Sequence, residues 1–116
     1  MKKSLFLLSA TAIFIACNDC DNLDLPEGTP SCIKNEINSF KKTAAICDGY
    51  HVSSFETQIG KVYAFADGNC VSDGGSRVLD SQCNDICFLG GFAANYVCVV
   101  NGDTLNFADE KILWEK

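Results

Sequence analysis

The sequence predicts an α+β fold: one N-terminal helix packed on a small meandering antiparallel sheet, stabilised by disulfides. Three observations carry this prediction. Ile33, Ile37, Phe40 and Ala44 recur at the spacing of a single helical face. After Asp48-Gly49 the pattern changes to alternation, clearest where Val62, Ala64 and Ala66 interleave with Tyr63 and Phe65. Finally, 8 cysteines in 116 residues is a density that reducing compartments rarely show.

The helix is expected over residues 31–44. Thr29-Pro30 supplies a capping hydroxyl and then a proline at the first helical position. Lys34, Asn35, Asn38 and Lys41 fall between the apolar positions, and Lys41 and Lys42 occupy the last turns, where the helix dipole favours cations. Strands follow over Val52 to Gln58 and Lys61 to Ala66, joined at Ile59-Gly60. Asp67-Gly68-Asn69 and Asp73-Gly74-Gly75 mark a loop. Ser76 to Ser81 and Asp85 to Leu89 are the next strands, and Gly90-Gly91 imposes a bend. Tyr96 to Val100 is rich in valine, which favours the pleated backbone, and leads into Asn101-Gly102, a hairpin-turn pair. Lys111 to Glu115, with the only tryptophan, Trp114, is the last strand.

Residues 1–16 stand apart from this fold. Lys2 and Lys3 precede an apolar run of 12 residues, Leu5 to Ala16. A bilayer span takes about 20 residues, so the run suits a signal-peptide core instead. It ends in Phe14-Ile15-Ala16-Cys17, which resembles the lipobox of bacterial lipoproteins. The resemblance implies cleavage before Cys17, a diacylglycerol on its sulfur and an acylated amine. Two alternatives stand beside it: ordinary cleavage at Ala10-Thr11-Ala12, releasing a soluble protein, and retention of the segment as a short membrane anchor. Without residues 1–16 the chain has 7 basic and 15 acidic residues, a formal charge of −8. Anionic lipid repels such a chain, so membrane attachment has to be hydrophobic, at about 0.8 kcal/mol per buried CH₂. The same acidity argues against a nucleic-acid partner, which requires clustered Lys and Arg.

Residues 17–31 hold Asp19, Asp21, Asp24, Glu27 and both prolines, with no basic residue. They read as a solvated tether reaching at most about 40 Å from Asn18 to Thr29. Acidic residues directly after the cysteine also resemble the surface-export signal of Bacteroidetes-type lipoproteins, which implies an outer-membrane protein displayed outward. Residues 32–116 remain as the cysteine-rich domain. With Cys17 lipidated and Cys20 in the tether, the domain keeps Cys32, Cys47, Cys70, Cys83, Cys87 and Cys98. Three disulfides are expected, each contributing about 3 kcal/mol, in any of fifteen pairings. The rival is zinc on Cys83, Cys87, Cys70 and Cys98. The lack of a CxxC pair and the presence of a single histidine, His51, count against it.

The domain also resembles a family. Cys32-Ile33, Ile37, Gly60-Lys61-Val62-Tyr63, Cys70, Leu79-Asp80, Ile86-Cys87, Gly90-Gly91-Phe92, Cys98 and Ile112-Leu113-Trp114 together resemble the C-terminal domain of small Bacteroidetes-type lipoproteins. That domain is one of unknown function, so the resemblance implies no established activity.

Motifs for catalysis are sparse. No nucleophile turn of the GxSxG type occurs, and His51 beside Tyr50 reads as a structural residue at a strand start. The acids are scattered among turns, where Asp bonds its own backbone. Asp67, Asn69 and Asp73 lack the spacing of a calcium loop and read as a plain turn. The expectation is therefore a protein without metal or cofactor and without enzymatic activity. The candidate recognition loop is the segment holding Phe88, Gly90, Gly91, Phe92 and Asn95, between Cys87 and Cys98. The competing reading is that both rings fill the core. Asp103-Thr104-Leu105 resembles the O-glycosylation motif of exported Bacteroidetes proteins, which makes Thr104 a candidate acceptor. The sequence thus points to an envelope-anchored binding or accessory module, held at the membrane by its lipid and meeting a protein or glycan partner. One alternative is an inhibitor-like domain presenting a rigid loop to an enzyme cleft. Another is a small hydrolase, whose mark would be two carboxylates about 5–9 Å apart across a cleft.

Overall fold

The computed structural model describes residues 24–43, 48–68, 74–90 and 96–116. Among the described residues, one helix, α1 (Ser31–Thr43), precedes seven strands: β1 (His51–Thr57), β2 (Gly60–Ala66), β3 (Gly75–Leu79), β4 (Asp85–Gly90), β5 (Val99–Val100), β6 (Asp103–Thr104) and β7 (Ala108–Glu115). The fold is α+β, with a five-stranded antiparallel sheet in the order β4-β3-β2-β1-β7 and a separate β5–β6 ribbon. Strands β1 to β4 form the expected meander. The chain then returns so that β7 pairs with the open edge of β1.

The helix begins differently from the sequence expectation. The Thr29 hydroxyl does not cap α1; it donates to the Pro26 carbonyl at 2.6 Å, and the Thr29 N–H reaches the same oxygen at 3.2 Å. Gly28, with φ of +86°, takes the position of this turn that demands a left-handed residue. The first helical bond runs from the Lys34 N–H to the Pro30 carbonyl at 3.1 Å, so Pro30 is the N-cap and Ser31, one residue after the expected proline, is the first helical position. Leu25, just upstream, packs against the helix-side core. The folded unit therefore reaches back into residues first read as a solvated tether. A single leucine beside a prolyl turn is enough to pin the chain there.

Strand β2 is buried on both faces, and its alternation sorts the core into two. On the helix side, Tyr63 and Phe65 join Ile33, Ile37, Val52 and Leu79. Phe40 carries the ring packing on that side. Its centroid lies 5.3 Å from Tyr50, 5.5 Å from Phe65 and 6.0 Å from Trp114, at the tilted and edge-to-face angles aromatic pairs prefer. On the opposite side, Val62, Ala64 and Val78 pack with Phe55, Ile86, Leu89 and Phe107. Phe55 and Phe107 meet edge to face at 5.3 Å. The segment after β6 thus covers a second sheet face that the helix cannot reach.

Two strand predictions change. The strand expected over Tyr96 to Val100 contracts to Val99–Val100. Cys98 is buried and bridged to Cys87, and its carbonyl accepts the Leu105 N–H at 2.8 Å, so the chain here serves a cross-link and a turn rather than the main sheet. The last strand starts at Ala108, three residues before Lys111. Its extra residues, Ala108-Asp109-Glu110, read as polar because β7 is an edge strand. Two register shifts against β1, with Asp109 at φ of +54°, give it the bulges typical of a protected edge. Asn101 and Gly102 sit at φ of +52° and +82°, the two positive angles of a type I′ hairpin turn, as their sequence implies.

Candidate functional site

Two disulfides fix the surface features that bear on function. Cys32–Cys83 ties α1 to the turn after β3, across 51 residues of chain. That turn is organised by Asp80. Its carboxylate accepts the N–H groups of Gln82 and Asn84, both at 2.9 Å, and the Asn84 amide at 3.1 Å. The turn holds Cys83 at φ of +64°, which puts its side chain where Cys32 can meet it. Burial works against the Asp80 charge, but the bonds from Asn84 and Gln82 outweigh it and hold the carboxyl below its ordinary range.

Cys87–Cys98 clamps the other end of the molecule, closing the segment that contains the candidate recognition loop. Phe88 is 47 % exposed, so it does not fill the core as the competing reading had it. Tyr96, Val97 and Val99 stand 78 %, 50 % and 51 % exposed on the far side of the clamp. Gly90 ends β4 at φ of +83°, and an added Cβ would press on the Cα of its cross-strand partner Gly75 at 3.3 Å. Gly91, Phe92 and Asn95 lie outside the described residues, as do Cys17, Cys20, Cys47 and Cys70. The zinc alternative loses its ligands, because Cys83, Cys87 and Cys98 are all bound in disulfides.

The remaining predicted positions are spread over the surface. Thr104 is exposed on β6, with its carbonyl accepting the Gln58 amide at 2.6 Å. Gln58 also accepts the Asn106 N–H at 2.9 Å, so one side chain pins the ribbon to the β1–β2 turn. His51 donates from Nδ1 to the Gly49 carbonyl at 3.0 Å, at the start of β1. Asp67 accepts the Gly75 N–H at 3.4 Å; Asn69 and Asp73 lie outside the described residues. Arg77 bridges β3 to β4 and α1 through Asp85 at 2.7 Å and Glu36 at 3.1 Å. Partial burial would lower its pKa, but these two carboxylates outweigh burial and raise it.

Clefts lined by the described residues include ones of about 320, 250 and 370 Å³. Each is lined by one acidic residue: Glu27, Asp24 and Asp80 respectively. None of the three brings two carboxylates together. The first lies between the Pro26–Pro30 turn and the β1–β2 hairpin, and its floor carries Ser54 and Tyr63. Sequence reasoning missed it. In the sequence Tyr63 is legible only as a strand residue interleaved with Val62 and Ala64, and the turn that forms the opposite wall reads as linker. No protein-family model, no curated protein and no solved structure matches the chain.

Proposed function

We propose that the chain is an envelope lipoprotein whose domain acts as a binding or accessory module, anchored through lipid on Cys17. The lipobox-like Phe14-Ile15-Ala16-Cys17 after a short apolar run supports the anchor. Folded residues begin by Leu25, which shortens the tether. From Cys17 to Asp24 the chain spans at most about 25 Å, so the domain sits against the headgroup layer rather than far above it. Outer-membrane display follows from the acidic residues that succeed the cysteine.

The observation that carries the binding role is the Cys87–Cys98 clamp with Phe88, Tyr96, Val97 and Val99 exposed beside it. Large apolar and aromatic groups on a cross-linked frame lose little conformational entropy on association, which is how binding anchors are built. The partner is a protein. A photo-crosslinking amino acid at Tyr96 in intact cells tests this. A discrete adduct that weakens in Val99→Ser supports the module; only lipid adducts, or none, contradict it.

A further inference from the structure

We propose that the cleft between the Pro26–Pro30 turn and the β1–β2 hairpin binds a neutral polyhydroxyl ligand, a single sugar ring. This site lies on the helix side of the sheet and does not rest on the anchored or protein-binding reading. Tyr63 is 3 % exposed and Ser54 5 % exposed, yet both line the cleft. They are cross-strand partners on the same sheet face, so their side chains stand side by side.

Neither hydroxyl bonds to another described residue. Asn38 Oδ1 is the one side-chain oxygen, among the described residues, that is both sealed from solvent and without a partner. The Ser54 and Tyr63 hydroxyls therefore open into the cleft. Buried residues rarely carry polar groups without a partner, so the partners of these two come from outside the chain: water when the cleft is free, and a ligand that replaces that water when it is filled. The other hydroxyls of the wall are already engaged: Thr29 donates to the Pro26 carbonyl and Ser81 to the Lys61 carbonyl.

The chemistry of the lining selects the ligand. An apolar ligand would leave both hydroxyls dehydrated and unpaired. A cation meets the Lys61 ammonium with only Glu27 to offset it in the wall. An anion meets Glu27, while Lys61 is already paired with Glu56 at 3.4 Å. A sugar fits all of these. Its hydroxyls donate and accept as Ser54 and Tyr63 do, its ring can lie against Pro26, Pro30 and Leu113, and its outer hydroxyls reach Lys61 and Glu27. At about 320 Å³ the cleft holds one ring and not a chain.

The test uses the full oxidised chain, isotope-labelled for amide NMR. Methyl α-glucopyranoside, methyl α-mannopyranoside and methyl β-N-acetylglucosaminide are titrated, with cellotriose as a chain end. We expect at least one to shift the amides of Gly28, Ser54, Lys61, Tyr63 and Ser81 saturably. A response to cellotriose as well would assign the ligand to a glycan terminus, and a response to methyl glycosides alone to a free sugar. Tyr63→Phe keeps the ring in the core and removes the hydroxyl. It should melt with the parent and bind about tenfold more weakly. The proposal is overturned if no glycoside shifts these amides, if acetate or phosphate shifts them instead, or if folded Tyr63→Phe binds as tightly as the parent.

Discussion

The clearest structural device at single-residue scale is Asp80, whose carboxylate gathers three N–H donors and sets the turn that presents Cys83. Because its folded pKa is depressed, its contribution is present above the unfolded carboxyl range and is lost as pH falls through the lowered value. Asp80→Ala should therefore lower stability at neutral pH by on the order of 1 kcal/mol, since the bonds are solvent-exposed. The gap from the parent should narrow as pH falls through the lowered carboxyl value and close below it, as urea melts at several pH values would show. Gly68 gives a second prediction. A Cβ there would run into the Asp48 carbonyl oxygen and the Tyr50 ring, and a backbone carbonyl cannot rotate away. Gly68→Ala should cost about 1–3 kcal/mol in the same assay. The sequence marks Gly68 as a loop residue but places Asp80 inside the strand expected over Ser76 to Ser81, which ends at Leu79 instead. It did not show that one sets a cysteine and the other lets two segments touch, because those contacts join residues brought together only by the sheet.

Elements with strong periodicity were readable in advance. Helix α1 follows from Ile33, Ile37 and Phe40, and the double burial of β2 follows from its two interleaved apolar sets. The type I′ turn at Asn101-Gly102 was equally plain. What escaped was the closure of the sheet by β7, whose first half is charged because an edge strand needs only one apolar face. The strand around Cys98 is shorter than its sequence suggests for the converse reason: valines favour extension, but a buried cross-link decides where they go. The two bridges should differ in weight. On loop length alone, Cys32–Cys83 contributes about 4 kcal/mol and Cys87–Cys98 about 3 kcal/mol. Urea unfolding of the paired alanine variants should rank them in that order. The shorter bridge should also free the β5–β6 ribbon locally, seen as faster amide exchange at Val99 and Leu105 with the five-stranded sheet still protected.

The molecule as a whole is a small domain with two thin cores, cross-linked by disulfides, which the proposed lipid on Cys17 would keep close to a membrane. Its two candidate surfaces are built on different segments: the apolar groups lie beside the Cys87–Cys98 clamp, and the hydroxyl-floored cleft lies beside the Pro26–Pro30 turn. The proposed anchor rests on a local pattern, the short apolar run that ends at Cys17. The cleft was not legible, because its walls come from segments far apart in the chain, at Pro26 to Pro30, Ser54 to Tyr63 and Leu113. The central claim is the lipid on Cys17 with oxidised cysteines behind it. Intact-mass spectrometry of the unreduced protein extracted from membranes tests it most directly. The account predicts a chain that begins at an acylated Cys17 and is lighter by two hydrogens for each bridge, Cys32–Cys83 and Cys87–Cys98 included. A chain that still begins at Met1 and carries reduced thiols throughout would contradict it.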